Sequence, residues 1–98
     1  MEVVLKDCLL IVYRTGLIEK IDRRNNKIIP INITKNKHGY LCMRIDYKKV
    51  PIHKIVASVY LGYTAGVAPL AILEGNLMEI IHINHNKEDN HVDNLLVK

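Results

Sequence analysis

Residues 80–95 of the chain read IIHINHNKEDNHVDNL, and this stretch is the most informative part of the sequence. An apolar strand ends at His82, a long loop rich in Asn and Asp follows, and Asn94-Leu95 leads into a second short strand. Apolar runs of this length on either side of a polar loop are typical of two strands joined by that loop. The sequence therefore predicts a closing β-hairpin that presents a histidine beside a polar loop.

The composition indicates one globular domain. The chain has 98 residues, of which 49% are hydrophobic and 24% are charged, and both fractions are ordinary for a globular protein. The longest apolar runs are far shorter than the roughly 20 residues that a membrane helix needs, so we expect no membrane association. Cys8 and Cys42 do not form a CxxC pair, which argues against a zinc ribbon or a disulfide scaffold. We therefore expect a reduced, cytoplasmic protein.

The charge favours an anionic partner, because the formal net charge is +4 and the pI is near 9.1. The basic residues cluster at turns, which is typical either of solvated loops or of a surface that follows a phosphate backbone. Tyr40 and Tyr47 lie among them and either stack on bases or pack in a sheet. The candidate nucleic-acid-binding residues are Arg23, Arg24, Lys27, Lys35, Lys37, Arg44, Lys48, Lys49, His53 and Lys54.

Short strands fill the first half of the sequence. We predict strands at residues 8–13, 17–21, 28–33 and 40–45, joined by polar turns. Pro30 has no N–H to donate to a neighbouring strand, so the third of these strands belongs at a sheet edge. In the fourth strand Leu41, Met43 and Ile45 face one way and the residues between them face the other. We expect Cys42, on that second face, to be a small buried or half-buried residue.

The clearest helix follows at residues 53–62. Apolar residues recur there at the spacing of one helix face, and Gly62 supplies a C-terminal stop. The apolar positions are Ile52, Ile55, Val56 and Val59.

These elements predict a single α+β domain over residues 1–98. It comprises a β-rich basic part with a small antiparallel sheet at residues 1–52, a central helix at 53–62, an apolar insert at 63–76 and the closing hairpin at 77–98. An apolar run such as residues 67–73 would be an association surface if it were left in water. We expect it either to fold over the closing hairpin or to form a symmetric homodimer, and we favour the dimer.

Four pieces of the sequence, in order, resemble the HNH homing endonucleases encoded by phages and introns. The pieces are Thr15-Gly16-Leu17-Ile18, Gly39-Tyr40-Leu41, Ile52-His53-Lys54-Ile55-Val56-Ala57 and the closing His82-Ile83-Asn84 with Asn94-Leu95. The resemblance implies an HNH-like hairpin at the end of the chain, without the final helix that carries a metal ligand in that family.

For the site, the resemblance implies that His82 is the general base that activates water and that the side chain of Asn94 tethers the loop. The family places a metal-binding Asp before this histidine, where the chain has Ile81. A hydrocarbon side chain cannot coordinate the oxygen-seeking cations that such sites use. We therefore expect no cofactor, and Mg²⁺ or Mn²⁺ only if the chain is active.

The other histidines leave two alternatives open. His82, His85 and His91 suit a small transition-metal site, because imidazole binds zinc. Alternatively, the latter two are simply exposed on the loop, which we favour. The weak metal candidates are His85, Asp89 and His91.

Three functional hypotheses follow. The first is a catalytically degenerate HNH-like protein, encoded by a phage or mobile element, that binds DNA or a nucleic-acid-associated host protein such as a defence component. The second is an active, metal-dependent DNA nicking endonuclease that uses His82. The third is a fragment whose missing helix comes from another chain, for instance through a homodimer that also buries the apolar insert. We favour the first, because loss of the metal ligands removes much of the transition-state stabilisation.

Overall fold

The structure, a computed structural model, describes residues 1–5, 7–45, 47–61 and 80–97. This part of the chain forms two antiparallel sheets, one α-helix and a two-stranded closing ribbon, so the predicted α+β class is confirmed. The elements are β1 (Glu2–Val4), β2 (Cys8–Val12), β3 (Ile18–Asp22), β4 (Ile28–Ile29), β5 (Thr34–Lys35), β6 (Leu41–Ile45), β7 (Lys48–Pro51), α1 (Ile52–Tyr60), β8 (Ile80–His82) and β9 (Leu95–Val97).

The first sheet has the strand order β1-β2-β3-β4, with the β2–β3 hairpin at its centre. Cys8 pairs with Asp22 and Val12 with Ile18. Cys8, Leu10 and Val12 are buried while the residues between them are half-buried, because successive side chains of a strand point to opposite faces. The sequence did not predict β1, since three residues are too few to show an alternation.

The prediction of one N-terminal sheet is wrong, because β5, β6 and β7 form a separate three-stranded sheet. The first sheet stops at Ile29, and Pro30, which follows, has no N–H with which to extend the ladder. The predicted edge position is confirmed, since β4 is the last strand of its sheet. On one face of β6, Arg44 is exposed, while Cys42 is 1% exposed, as expected for a small buried residue.

Helix α1 begins directly after β7, one residue earlier than predicted, and its last helical residue is Tyr60. Ile52, Ile55 and Val56 are buried as the spacing predicted, and His53 is buried as well. Side chains on more than one face of the helix are therefore buried, since the helix contacts β2, β6, β7 and the closing ribbon. The predicted stop at Gly62 lies outside the described residues.

The closing hairpin is present as the β8–β9 ribbon, in which Ile81 pairs with Leu96 and His82 with Leu95. The last strand begins at Leu95, directly after a 3₁₀ turn formed by residues Val92–Asn94. The side chain of His91 caps this turn by accepting a hydrogen bond from the N–H of Asp93. The apolar insert at 63–76 and the dimer contact predicted for residues 67–73 lie outside the described residues.

Within the described residues, no helix combines the length and the apolar character that crossing a membrane requires.

Candidate functional site

His82 is the last residue of β8 and its side chain is buried. Its Nε2 lies 2.9 Å from Oδ1 of Asn90, which is also buried. An amide oxygen only accepts hydrogen bonds, so Nε2 carries the proton and donates. In the neutral ring the lone pair is therefore on Nδ1, and Asn90 fixes both the tautomer and the orientation of the histidine.

Three rings from different elements pack around this histidine. The ring centroid of His53, on α1, lies 5.0 Å from that of His82 in an edge-on arrangement. The ring of Tyr40, which precedes β6, lies 4.7 Å from His53 and 5.7 Å from His82. The fold therefore brings residues 40, 53 and 82 together, which their separation in the sequence does not reveal.

His53 is held neutral in this cluster. Its pKa is lowered from 6.5 to about 4, chiefly by burial and also by the nearby charges of His82 and Lys54. Its Nδ1 is buried, and no hydrogen-bond partner lies within reach among the described residues. An exposed phosphate contact was one of the roles predicted for His53, but a ring that is 5% exposed has little surface to offer a phosphate.

The loop between β8 and β9 is braced by Asn94. Its Oδ1 accepts the N–H of Asn84, and its Nδ2 donates to Oδ1 of Asn84 and to the carbonyl of Asp89, each at 2.9 Å. The carbonyl of Asn94 also accepts the N–H of Ile83 at 2.8 Å. These hydrogen bonds are those of a loop tether, which is the structural task that the resemblance assigns to Asn94.

The turn between β2 and β3 supports the same loop from outside. The N–H of Val92 donates to the carbonyl of Arg14 at 2.8 Å, and the Arg14 guanidinium lies 3.5 Å from the carboxylate of Asp93. Gly16, at φ 93°, lies so close to Asn90 that a Cβ there would be 2.9 Å from its backbone carbonyl. The N-terminal sheet therefore helps to fix the position of the residue that orients His82.

A cavity of about 300 Å³ opens beside the histidine. Lys87 bounds it, with its Nζ 5.1 Å from the ring centroid of Tyr40 and 2.9 Å from the carbonyl of His38, to which it donates. No carboxylate lines this cavity in the described part of the chain. The lining residues are Tyr40, Ile80, Ile81, His82, His85 and Lys87.

This lining does not fit Mg²⁺ or Mn²⁺, which prefer carboxylate and carbonyl oxygens. Ile81 brings no ligand to the wall, and the ammonium of Lys87 would repel a cation. Across the described residues, no three side chains of His, Cys, Asp or Glu come together as a metal-binding group.

The weak metal candidates of the loop have other contacts. His85 is exposed at φ 63°, while Nδ1 of His91 accepts the N–H of Asp93 at 3.1 Å. The carboxylate of Asp89 accepts a hydrogen bond from Nδ2 of Asn84 at 2.9 Å. The structure therefore does not gather His82, His85 and His91 around one point.

The predicted basic residues fall into two groups. Some are engaged within the protein: Arg24 pairs with Asp22 at 3.2 Å, and Lys35 pairs with Glu88 at 3.1 Å. Arg23 donates to the carbonyl of Leu5 at 3.1 Å. The exposed or half-exposed side chains that have no hydrogen bond or ion pair to another described residue are Lys27, Lys37, Arg44, Lys48, Lys49 and Lys54.

The densest part of the second group is the β6–β7 hairpin. Arg44 lies directly opposite Lys49 in the ladder, and Lys48 is the first residue of β7. Like charges directly opposite one another destabilise a sheet. Lys54 lies nearby, since its charge and that of Lys49 both act on the buried thiol of Cys42, whose pKa is nevertheless raised by burial. The hairpin is therefore a concentrated basic surface, and no carboxylate among the described residues pairs with these cations.

Comparison of the chain with family models, curated proteins and solved structures found no match to any of them. The likeness to HNH nucleases therefore rests on the motif residues themselves.

Two residues of the site were not singled out from the sequence. They are Asn90, which orients His82, and Lys87, which bounds the cavity beside it. A signal for Asn90 was present, because an Asn that follows a polar loop and precedes a buried strand often hydrogen-bonds locally. No local pattern pointed to the contact between Lys87 and Tyr40.

Proposed function

We propose that this chain is an HNH-like protein that binds nucleic acid and does not cleave it. The observation that carries the proposal is the β6–β7 hairpin, where Arg44, Lys48 and Lys49 are exposed and without a carboxylate partner among the described residues. A cross-strand pair of like charges is tolerated more readily when an anion neutralises it. A phosphate backbone supplies such charge along an extended line.

The closing ribbon supports the HNH-like part of the proposal. His82 ends the first strand, Asn94 braces the loop, and the second strand follows at once. This is the arrangement that the resemblance predicts for the histidine and asparagine of the motif. The origin in a phage or mobile element, and a nucleic-acid-associated host protein as the partner in place of DNA, remain predictions from the sequence.

The surroundings of His82 favour binding over hydrolysis. Its ring is 6% exposed and packed against Tyr40 and His53, so a water molecule and a phosphate have little access to it. The cavity beside it is lined by Lys87 and Ile81, and neither side chain offers the oxygen ligands that a cation would need.

A DNA nicking endonuclease is the second candidate, and one observation favours it. The hydrogen bond to Asn90 leaves the lone pair of the neutral His82 on Nδ1, which is the state that a general base requires. In that case His82 would be the catalytic residue, and a divalent ion would be bound by groups other than those described around the cavity.

A salt titration tests the binding proposal. Affinity for a labelled oligonucleotide should fall steeply between about 50 and about 200 mM salt, because each neutralised phosphate releases counterions. Replacing Arg44, Lys48 and Lys49 together by Gln should weaken binding at low salt and reduce the slope of log affinity against log salt by about 2. Fluorescence anisotropy measures both quantities.

A matched variant separates local from overall charge. Replacing Arg14, Arg24 and Lys35 by Gln removes the same formal charge from side chains that already have carboxylate partners. This variant should bind nearly as the natural chain does. Equal losses in the two variants would show that binding depends only on net charge, and no binding by the natural chain at low salt would refute the proposal.

A further inference from the structure

Tyr47 occupies the tip of the β6–β7 hairpin, where Ile45 pairs with Lys48 across a two-residue turn. Its side chain is 96% exposed, and its backbone has φ 66°. The other residue of the turn, Asp46, lies outside the described residues. The ring of Tyr47 is therefore exposed to solvent at the tip of a hairpin that carries several basic residues.

Both features of Tyr47 are unfavourable in the free protein. A bulky side chain at positive φ is strained, and turn positions of this kind favour Gly, Asn or Asp. Of the non-glycine residues that share this conformation among the described residues, the others are Asn26 and His85, which tolerate it better. Strain of this kind persists mainly at functional positions.

The neighbours of Tyr47 suit an anionic partner. Arg44, Lys48 and Lys49 lie within three positions of it along the hairpin. Aromatic rings flanked by unpaired cations are the combination by which proteins bind single strands: bases stack on the rings while the cations follow the phosphates.

We propose that Tyr47 stacks on an unpaired base of single-stranded nucleic acid, while Arg44, Lys48 and Lys49 contact the adjoining phosphates. This inference rests on the proposed function. It adds that the nucleic acid is single-stranded and that Tyr47 contacts one of its bases. The occupant is a single strand because an isolated ring on a hairpin tip needs an accessible base face, which a regular duplex covers by stacking.

The first experiment removes the ring. Tyr47→Ala should weaken binding to a single-stranded oligonucleotide by roughly fivefold or more, since stacking on one base contributes at least about that factor. Tyr13→Ala is the matched control, because Tyr13 is an exposed tyrosine that directly follows β2 and hydrogen-bonds to Glu19. This control should bind as the natural chain does.

Tyr47→Gly separates binding from folding. Glycine adopts positive φ without strain, so this variant should unfold at a temperature no lower than that of the natural chain. It should nevertheless lose affinity as Tyr47→Ala does. A purely structural tyrosine would give the opposite result, with a lower unfolding temperature and unchanged binding.

Tyr47→Trp supplies a direct readout, because the chain has no tryptophan of its own. Its fluorescence should be quenched by a single strand, and much less by an abasic strand of the same length, which keeps the phosphates but has no bases to stack. A duplex of the same sequence should bind more weakly than the single strand.

Different results would refute the proposed function and the stacking role of Tyr47. If the natural chain binds no nucleic acid even at low salt, the proposed function itself is wrong. If it binds, but equally well to the abasic strand or with undiminished affinity after Tyr47→Ala, the charges act alone and the stacking role of Tyr47 is overturned. Preference for the duplex would also overturn it.

Discussion

Lowering the pH from about 7 to about 4.5 should reduce the free energy of unfolding by about 2.5 kcal/mol through His53 alone. The folded pKa of His53 is about 4, chiefly because the ring is buried, whereas the unfolded chain protonates near 6.5. The unfolded state therefore binds the extra proton first as the pH falls. The stability is complete above about pH 6.5 and is lost toward pH 4.

A loss of this size is a large part of the stability expected for a domain of this length. Urea denaturation at the two pH values measures it, with His53→Gln as the test variant and His85→Gln as the control, since His85 is exposed. His53→Gln should flatten the pH dependence, and His85→Gln should leave it unchanged. A natural chain that is equally stable at both pH values would show that His53 is not held neutral by burial. The Asp22 carboxyl, whose pKa is lowered by its hydrogen bonds to Arg24, stabilises the fold above about pH 4, and this stabilisation is lost only as the pH falls further.

Gly16→Ala should reduce the free energy of unfolding by about 3 kcal/mol. The residue has φ 93°, and the added methyl group would lie 2.9 Å from the backbone carbonyl of Asn90. The loop that orients His82 would have to move, because backbone cannot yield as a flexible side chain does. Thermal or urea unfolding measures the stability, and the imidazole resonances of His82 report the displacement.

Gly39→Ala provides the matched control. Gly39 has nearly the same backbone, at φ 87°, but a Cβ there would meet only the side chain of Lys87 at 3.5 Å. Gly39→Ala should therefore reduce the free energy of unfolding only by the backbone strain, about 1 to 2 kcal/mol. If both variants lose equal stability, the close contact between Gly16 and Asn90 does not stabilise the loop.

The parts of the fold that follow local rules could be predicted from the sequence. Alternation identified β6, helical spacing identified α1, and the missing N–H of Pro30 placed β4 at an edge. The same proline also separates the two sheets, but a local pattern cannot say whether strands on either side of a break rejoin. Local patterns therefore predict one N-terminal sheet where the structure has two.

The candidate site was predictable only where its residues are neighbours in the chain. His82 and Asn94 belong to one motif, and the loop hydrogen bonds connect them within a few residues. The packing of Tyr40 and His53 on His82, and the pairing of Lys35 with Glu88, join distant parts of the chain. Such contacts depend on how the sheets and the helix pack together, which hydrophobic periodicity does not specify.

The positive charges illustrate the same limit. Ten residues were candidates for binding nucleic acid on their sequence clusters alone. The structure distinguishes Arg24 and Lys35, which have carboxylate partners, from Arg44, Lys48 and Lys49, which have none among the described residues. Because of this difference, we propose that the nucleic acid binds to the β6–β7 hairpin.

The central claim, that the chain binds nucleic acid without cutting it, can be tested in one gel. Supercoiled plasmid with a single-stranded region is incubated with the protein at low salt in Mg²⁺ or Mn²⁺, and each sample is run before and after the protein is digested. We expect retarded plasmid before digestion and unchanged supercoiled plasmid afterwards. Open-circle plasmid that forms with the natural chain but not with His82→Ala would contradict it and establish the nicking endonuclease instead.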